Sequence, residues 1–206
     1  MAQAVVSTHG HAGEAGPPAG MERPDFQIVP RAGLPIVAVV MVILVAVIAI
    51  NETWSLTFMH VAAGAAWTII DLFLGFVLGP IMGSLSIPAR VEFTTKLMPK
   101  MVLIMPTVVT VTLAAGWQLS THLGTNLTSF DLHGWVVASF IVVGVMAVIA
   151  LGLLEPANIA VLTELKKPQP NPEVIEKLMK RFIYTAGATC RMPVATLIIM
   201  TKLAAG

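Results

Sequence analysis

Five long apolar segments dominate this sequence of 206 residues, at positions 34–50, 57–79, 101–121, 132–154 and 182–203. Crossing the ~30 Å hydrocarbon core of a bilayer takes ~20 helical residues, with ~17 as the lower limit. Inside lipid, every backbone N–H and C=O group must find its partner within the protein, and a helix provides that. The sequence therefore predicts an all-α fold: a polytopic membrane helix bundle of five transmembrane helices, made of a four-helix core plus one N-terminal helix.

The composition supports a membrane protein and excludes one class of partner. Apolar residues make up 56% of the chain and charged residues 11%, whereas globular proteins carry about a quarter charged residues. The formal net charge is +1 and no dense basic run occurs, so nucleic acid is not an expected partner. We expect the lipid bilayer as the main partner, together with other membrane subunits or a redox partner.

The boundaries of the segments define three parts of the chain. Residues 1–33 mix Gly, Ala, Pro, His and Glu without a period, which predicts a flexible cytoplasmic tail. Residues 34–50 form the additional transmembrane helix. Residues 57–203 form the four-helix core, with a cytoplasmic loop at 156–181 that contains a short amphipathic helix over 173–180.

Proline residues set the predicted ends and irregularities of these helices. Pro80 and Pro156 follow the second and fourth segments and are expected to end them. Pro106 falls inside the third segment, which it is expected to kink or loosen, and the fifth segment contains Pro193.

Basic residues orient the bundle, because Lys and Arg gather on the cytoplasmic side of a membrane. The connections between segments two and three and between segments four and five carry Arg90, Lys96, Lys100, Lys166, Lys167, Lys177, Lys180 and Arg181. The opposite connections, residues 51–56 and 122–131, contain neither Lys nor Arg. With Arg23 and Arg31 also inside, the sequence predicts a multi-pass protein of the cell membrane with a cytoplasmic N-terminus and its C-terminus outside.

Two ionisable residues lie near the predicted middle of the bilayer. Asp71 is nine residues from Pro80 and Arg191 is nine residues from Phe182, which places both ~13 Å from the cytoplasmic ends of their helices. A charge at this depth needs a partner, a cavity or a function. The sequence predicts an intramembrane ion pair between Asp71 and Arg191, serving either as a structural bridge or in anchoring a carboxylate or moving a proton.

Three histidines on three different helices share the predicted outer boundary of the membrane: His60, His122 and His133. Neutral imidazole is a common ligand of haem iron and of other metals. His60 lies one turn inside its helix, and at 100° per residue Trp67 and Asp71 return to within about 20° of it. His122 and His133, taken singly, also fit ordinary interfacial residues in contact with water.

Three stretches of the sequence resemble the superfamily of the copper-resistance D proteins and the HemJ-type, protoporphyrinogen oxidase-like membrane proteins. The first runs from Met59-His60 to Trp67, with the family's His-to-Trp interval. The second ends in Ala115-Gly116-Trp117-Gln118-Leu119, and the third is Arg191-Met192-Pro193 followed by Lys202. The resemblance covers about residues 57–203. It implies b-type haem bound through His60.

The resemblance to the HemJ-type enzymes also implies a lysine early in the helix at 132–154, and this sequence has none there. Protoporphyrinogen oxidation is therefore not predicted, no residue is assigned as catalytic, and whether the chain is an enzyme stays open. What the resemblance predicts is a four-helix core associated with a porphyrin or a metal.

These observations lead to one functional prediction and two alternatives. The prediction is an integral membrane protein that binds haem b through His60 and acts in electron transfer or as a redox subunit. Its second ligand would be His133 or His122, and Trp67 would line the cofactor site. The first alternative is a copper-handling membrane protein, with His60 and His133 as metal ligands and methionines such as Met59 nearby. The second is an accessory subunit without a cofactor in a larger membrane complex.

Overall fold

All regular structure in the described part of the chain is helical, as the sequence predicts. The computed structural model describes residues 26–124, 134–168, 171–189 and 191–205. The helices are α1 (Leu34–Ile50), α2 (Thr53–Leu72), α3 (Gly79–Ser84), α4 (Ile87–His122), α5 (Gly134–Ile149), α6 (Glu155–Leu165), α7 (Pro172–Thr189) and α8 (Met192–Ala205). A 3-10 turn (Arg31–Gly33) precedes α1, and π-helical segments (Phe73–Leu78 and Ala150–Leu154) join α2 to α3 and α5 to α6.

Four helical stretches are long and apolar enough to cross a membrane: Arg31–Ile50, Thr53–Ser84, Pro88–His122 and Gly134–Leu165. Their outward faces are apolar, and Ile36, Val42 and Val148 are each between 68% and 69% exposed. An apolar surface of this extent is unfavourable in water and favourable in lipid. The described residues therefore fit a membrane location.

The fifth predicted span, residues 182–203, is not confirmed as one helix. It is divided between α7 and α8, and α8 has 14 residues, or ~21 Å of helix. Pro193 is the second residue of α8, where the first turn of a helix tolerates proline. The predicted amphipathic helix over 173–180 lies within α7.

Two predicted helix ends at proline are wrong, and both errors have the same cause. The second predicted helix was expected to end before Pro80 and the fourth before Pro156, yet the chain stays helical to Ser84 and to Leu165. In each case a π-helical segment ends two residues before the proline. Proline lacks an N–H and its ring clashes with the carbonyl four residues earlier, and a widened π turn lets the helix continue past it.

The helix α4 is longer than the predicted segment at 101–121. It has 36 residues and contains both Pro99 and Pro106. At 1.5 Å per residue it spans ~54 Å, well beyond the ~30 Å hydrocarbon core. Arg90, Lys96 and Lys100 therefore lie on the N-terminal turns of α4 and not in a loop.

Among the described helices, the most extensive contact joins α2 and α4. The two helices are antiparallel, since Thr53 pairs with His122 and the later His60 pairs with the earlier Thr112. At one end of this pair, Gln118 Nε2 donates a hydrogen bond of 2.8 Å to Asn51 Oδ1. Asn51 ends α1 in the left-handed conformation, with φ 53°, which asparagine tolerates better than most residues. The short turn between α1 and α2 is thereby attached to the C-terminal part of α4.

The core consists of small clusters between helices. One cluster joins α2, α4, α5 and the second π-helical segment, and it consists of Trp67, Val109, Met146 and Ala150. A separate cluster joins α1 to α4. The third joins α4 to α6, and Phe26 and Ile28 pack against it. These two residues belong to the region assigned to the flexible tail, whereas residues 1–25 lie outside the described residues.

Candidate functional site

His60 lies in the contact between α2 and α4, with its imidazole half-buried. Its Nδ1 is 2.9 Å from the backbone carbonyl oxygen of Thr112. A carbonyl oxygen can only accept, so the imidazole Nδ1–H is the donor in this bond. The hydroxyl of Thr112 is not involved, because its Oγ1 donates to the carbonyl of Val108 at 2.7 Å.

This hydrogen bond determines which nitrogen of His60 is available for chemistry. In neutral imidazole one nitrogen carries the proton and the other carries the lone pair. With Nδ1 protonated, the lone pair is on Nε2, which has no hydrogen-bond partner among the described residues. Histidines that bind metals use this arrangement, in which a carbonyl or carboxylate accepts from the second ring nitrogen and fixes the tautomer and the ring orientation.

Gly116 makes room for the imidazole at this point, whereas a side chain at Gly64 would make an ordinary contact. A Cβ atom on Gly116 would lie 2.6 Å from both Cε1 and Nδ1 of His60, a distance that real Cβ contacts do not reach. A Cβ atom on Gly64 would lie 3.4 Å from Thr112 Cγ2. Small residues at helix contacts let backbones come close in membranes, and here Gly116 provides the space that the imidazole occupies.

Trp67 and Asp71 follow His60 along α2, as the helical period predicts. Trp67 is 3% exposed and belongs to the cluster with Val109 and Met146, so it faces α4 and α5. Asp71 lies close enough to Trp67 to interact with it, but the indole N–H is buried without a well-formed hydrogen bond. Asp71 also lines a small cavity of about 10 Å³ against Ile149 and other residues of α5.

The predicted ion pair between Asp71 and Arg191 is not formed. Both residues are described, and no salt bridge joins them. Arg191 is exposed and lies in the turn directly before α8. The prediction counted depth along one continuous helix, whereas Arg191 lies in a turn and belongs to neither α7 nor α8.

The structure does not bring His122 to His60. His122 is exposed, and its Nε2 forms a hydrogen bond of 2.9 Å with Thr53 Oγ1 at the start of α2. Gly116, which contacts His60, is six residues before His122 on α4, or ~9 Å along the helix axis. Two imidazoles on one metal ion need nitrogens within about 4 Å of each other, since each metal–nitrogen bond is about 2 Å. His133 lies outside the described residues.

Three further residues, Thr112, Gly116 and Glu155, were not among the predicted site residues. Thr112 and Gly116 were missed as partners of His60, although Gly116 stands within the stretch that carries the family resemblance. Glu155 was read only as a helix end, yet its Oε1 is buried without a hydrogen-bond partner. No group of three or more His, Cys, Asp or Glu side chains suited to a metal ion occurs among the described residues. Among the methionines, Met98 belongs to the cluster between α4 and α6, whereas Met59 and Met105 pack against the other two clusters.

No family model, no curated protein and no solved structure matches this chain.

The close contact at Gly116 leads to a testable prediction. Gly116→Ala should destabilise the protein by about 1–3 kcal/mol, the usual cost of overpacking, because its Cβ overlaps the imidazole of His60. In a His60→Ala background the overlap is gone, and the same substitution should cost little. Unfolding free energies of the single and double variants in detergent micelles measure this coupling.

The matched control is Gly144→Ala, since no atom lies within 4 Å of a Cβ at this helical glycine. Its expected effect is neutral or slightly stabilising, because alanine favours a helix over glycine. An equal cost of Gly116→Ala in both backgrounds would show that the imidazole does not occupy this space.

Proposed function

We propose that this chain is an integral membrane protein that binds b-type haem with His60 as an axial ligand, and that it acts in electron transfer or as a redox subunit. The observation that supports this proposal is the bond from His60 Nδ1–H to the carbonyl of Thr112. It leaves the lone pair on Nε2, the nitrogen that an axial ligand presents. The resemblance of residues 57–203 to the copper-resistance D and HemJ-type proteins points to the same residue.

Haem supplies one-electron redox chemistry when bound, with a potential that depends on its axial ligands and on the polarity around it. The residues of this chain have separate tasks in the proposed site. His60 provides the ligand nitrogen, and the carbonyl of Thr112 fixes the ring and raises the basicity of Nε2. Gly116 keeps the imidazole ring close to α4. Trp67, about two turns further along α2, forms an apolar wall of the site.

The second axial position is proposed for His133. By sequence, His133 directly precedes α5, and the predicted topology places it at the same membrane boundary as His60. His122 is a weaker candidate because its Nε2 is bonded to Thr53.

Visible absorption spectra of the purified protein, before and after dithionite, test the proposal. The wild type should show sharp α and Soret bands. His60→Ala should lose these bands while staying inserted, because alanine is accepted at a helix contact. His122→Ala is the matched control and should keep them, whereas His133→Ala should change the spin state of the iron. Unaltered bands in His60→Ala would contradict the assignment of the ligand.

The same preparation separates the two alternatives. Stoichiometric copper without porphyrin would favour a copper-handling protein that uses the Nε2 lone pair of His60. Neither cofactor, together with membrane subunits that co-purify, would favour the accessory subunit. In that case the bond from His60 to Thr112 would serve packing alone.

We further propose five membrane crossings, with the N-terminus in the cytoplasm, the C-terminus outside, and the region of α7 and α8 as the fifth crossing. The distribution of Lys and Arg supports this orientation. Arg31 and Lys166, from two segments predicted to be cytoplasmic, also line the same cavity.

Cysteine labelling tests the orientation in a Cys190→Ser background, which removes the one native cysteine. Asn126→Cys should react with an impermeant thiol reagent in intact cells, because the predicted outer connection carries it. Gln169→Cys should react only after the cells are opened. The reverse pattern would overturn the orientation.

A further inference from the structure

Two basic side chains from distant parts of the sequence line one open cavity of about 380 Å³. Arg31 lies in the 3-10 turn before α1, and Lys166 directly follows α6. Both are exposed, and neither forms a salt bridge with a carboxylate of the described residues. The neighbouring Lys167 differs, because it pairs with Glu164. Within the described part of the chain, the cavity thus carries two positive charges that no salt bridge neutralises.

The chain itself places this cavity at the boundary of the membrane. Arg31 begins the apolar stretch Arg31–Ile50, and Lys166 follows the last residue of the stretch Gly134–Leu165. Since the stretch Arg31–Ile50 has 20 residues, or ~30 Å of helix, it matches the thickness of the hydrocarbon core, and Arg31 at its end is expected at the level of the lipid headgroups. Because Arg31 and Lys166 line one cavity, they lie at the same leaflet.

The wall of the cavity is built by packed residues. Ile28 lines the cavity and also packs against the cluster that contains Met98 and Leu162. Phe26 packs against the same cluster, and its ring lies 5.9 Å from Lys166 Nζ. The backbone N–H of Arg31 donates a hydrogen bond of 3.3 Å to Gln27 Oε1. The segment before α1 is therefore attached to α4 and α6, which keeps Arg31 near Lys166.

We propose that this cavity binds an anionic phospholipid, with its phosphate between Arg31 and Lys166. A guanidinium group presents paired donors that match phosphate oxygens, and an ammonium group adds a compact charge. Basic pockets between helices at the cytoplasmic side of a membrane bind anionic headgroups in this way. The remaining wall contains Ile28, Val29 and Leu34, which suit the glycerol and upper acyl region of a lipid. This apolar wall favours a lipid over free phosphate, and the site is independent of His60.

Native mass spectrometry of the full-length, delipidated protein tests this site by counting bound phosphatidylglycerol during a titration. Arg31→Gln and Lys166→Gln should each weaken binding by about fivefold, the usual effect of one basic residue near an anionic surface. Lys166→Arg should retain binding. The matched control is Lys167→Gln, which removes the same charge one residue away and should change binding by less than Lys166→Gln. Circular dichroism of each variant establishes that the helices are intact.

Three outcomes would overturn the proposal. An equal loss in Lys167→Gln and Lys166→Gln would show that overall charge, and not this cavity, attracts the lipid. Equal binding of phosphatidylcholine would show that the site does not select anionic lipid. Displacement of phosphatidylglycerol by inorganic phosphate at equal concentration would show that the site recognises free phosphate.

Discussion

The contact between α2 and α4 around His60 is the interaction on which the rest of the arrangement depends. In lipid there is little hydrophobic force between helices, so close packing and interhelical hydrogen bonds hold them together. Here Gly116 leaves room for the imidazole, and the bond from His60 Nδ1–H to the carbonyl of Thr112 crosses the contact. The imidazole is half-buried, and the reduced dielectric between the two helices strengthens this bond. Trp67 extends the same contact to α5, and Asn51 attaches α1 to it through Gln118.

The all-α class could be predicted from the sequence because the apolar segments leave few other ways to satisfy the backbone in lipid. The ends of the helices could not be predicted with the same rules. Pro80 and Pro156 were expected to stop their helices, since proline lacks a donor and clashes with the preceding turn. Both prolines follow π-helical segments, whose wider turns accommodate the proline ring, and the helices continue for several residues. The segment at 182–203 was expected to be one helix, whereas it is divided between α7 and α8, and Pro193 is the second residue of α8.

In the candidate site, positions along one helix could be predicted from the sequence, whereas contacts between helices could not. His60, Trp67 and Asp71 could be placed on one face of α2 from the helical period, because that relation lies within one helix. The acceptor for His60 is a backbone carbonyl, which no sequence pattern identifies, and Gly116 was quoted only as part of a resemblance. The pair of Asp71 and Arg191 was inferred from depths counted along two helices, whereas Arg191 lies in a turn and no salt bridge joins the two residues. His122 shared a boundary with His60 in the prediction, yet it is bonded to Thr53.

The central claim is that His60 presents Nε2 to haem iron while Nδ1 is held by Thr112. Chemical rescue of His60→Gly tests this claim most directly, because free imidazole can replace a missing axial ligand in the space that the side chain leaves. The account predicts that purified His60→Gly supplied with haem has no α and Soret bands of the wild-type form, and that millimolar imidazole restores them. His122→Gly, treated in parallel, should show the bands without imidazole. Wild-type bands in His60→Gly before imidazole is added, or no restoration afterwards, would contradict the account.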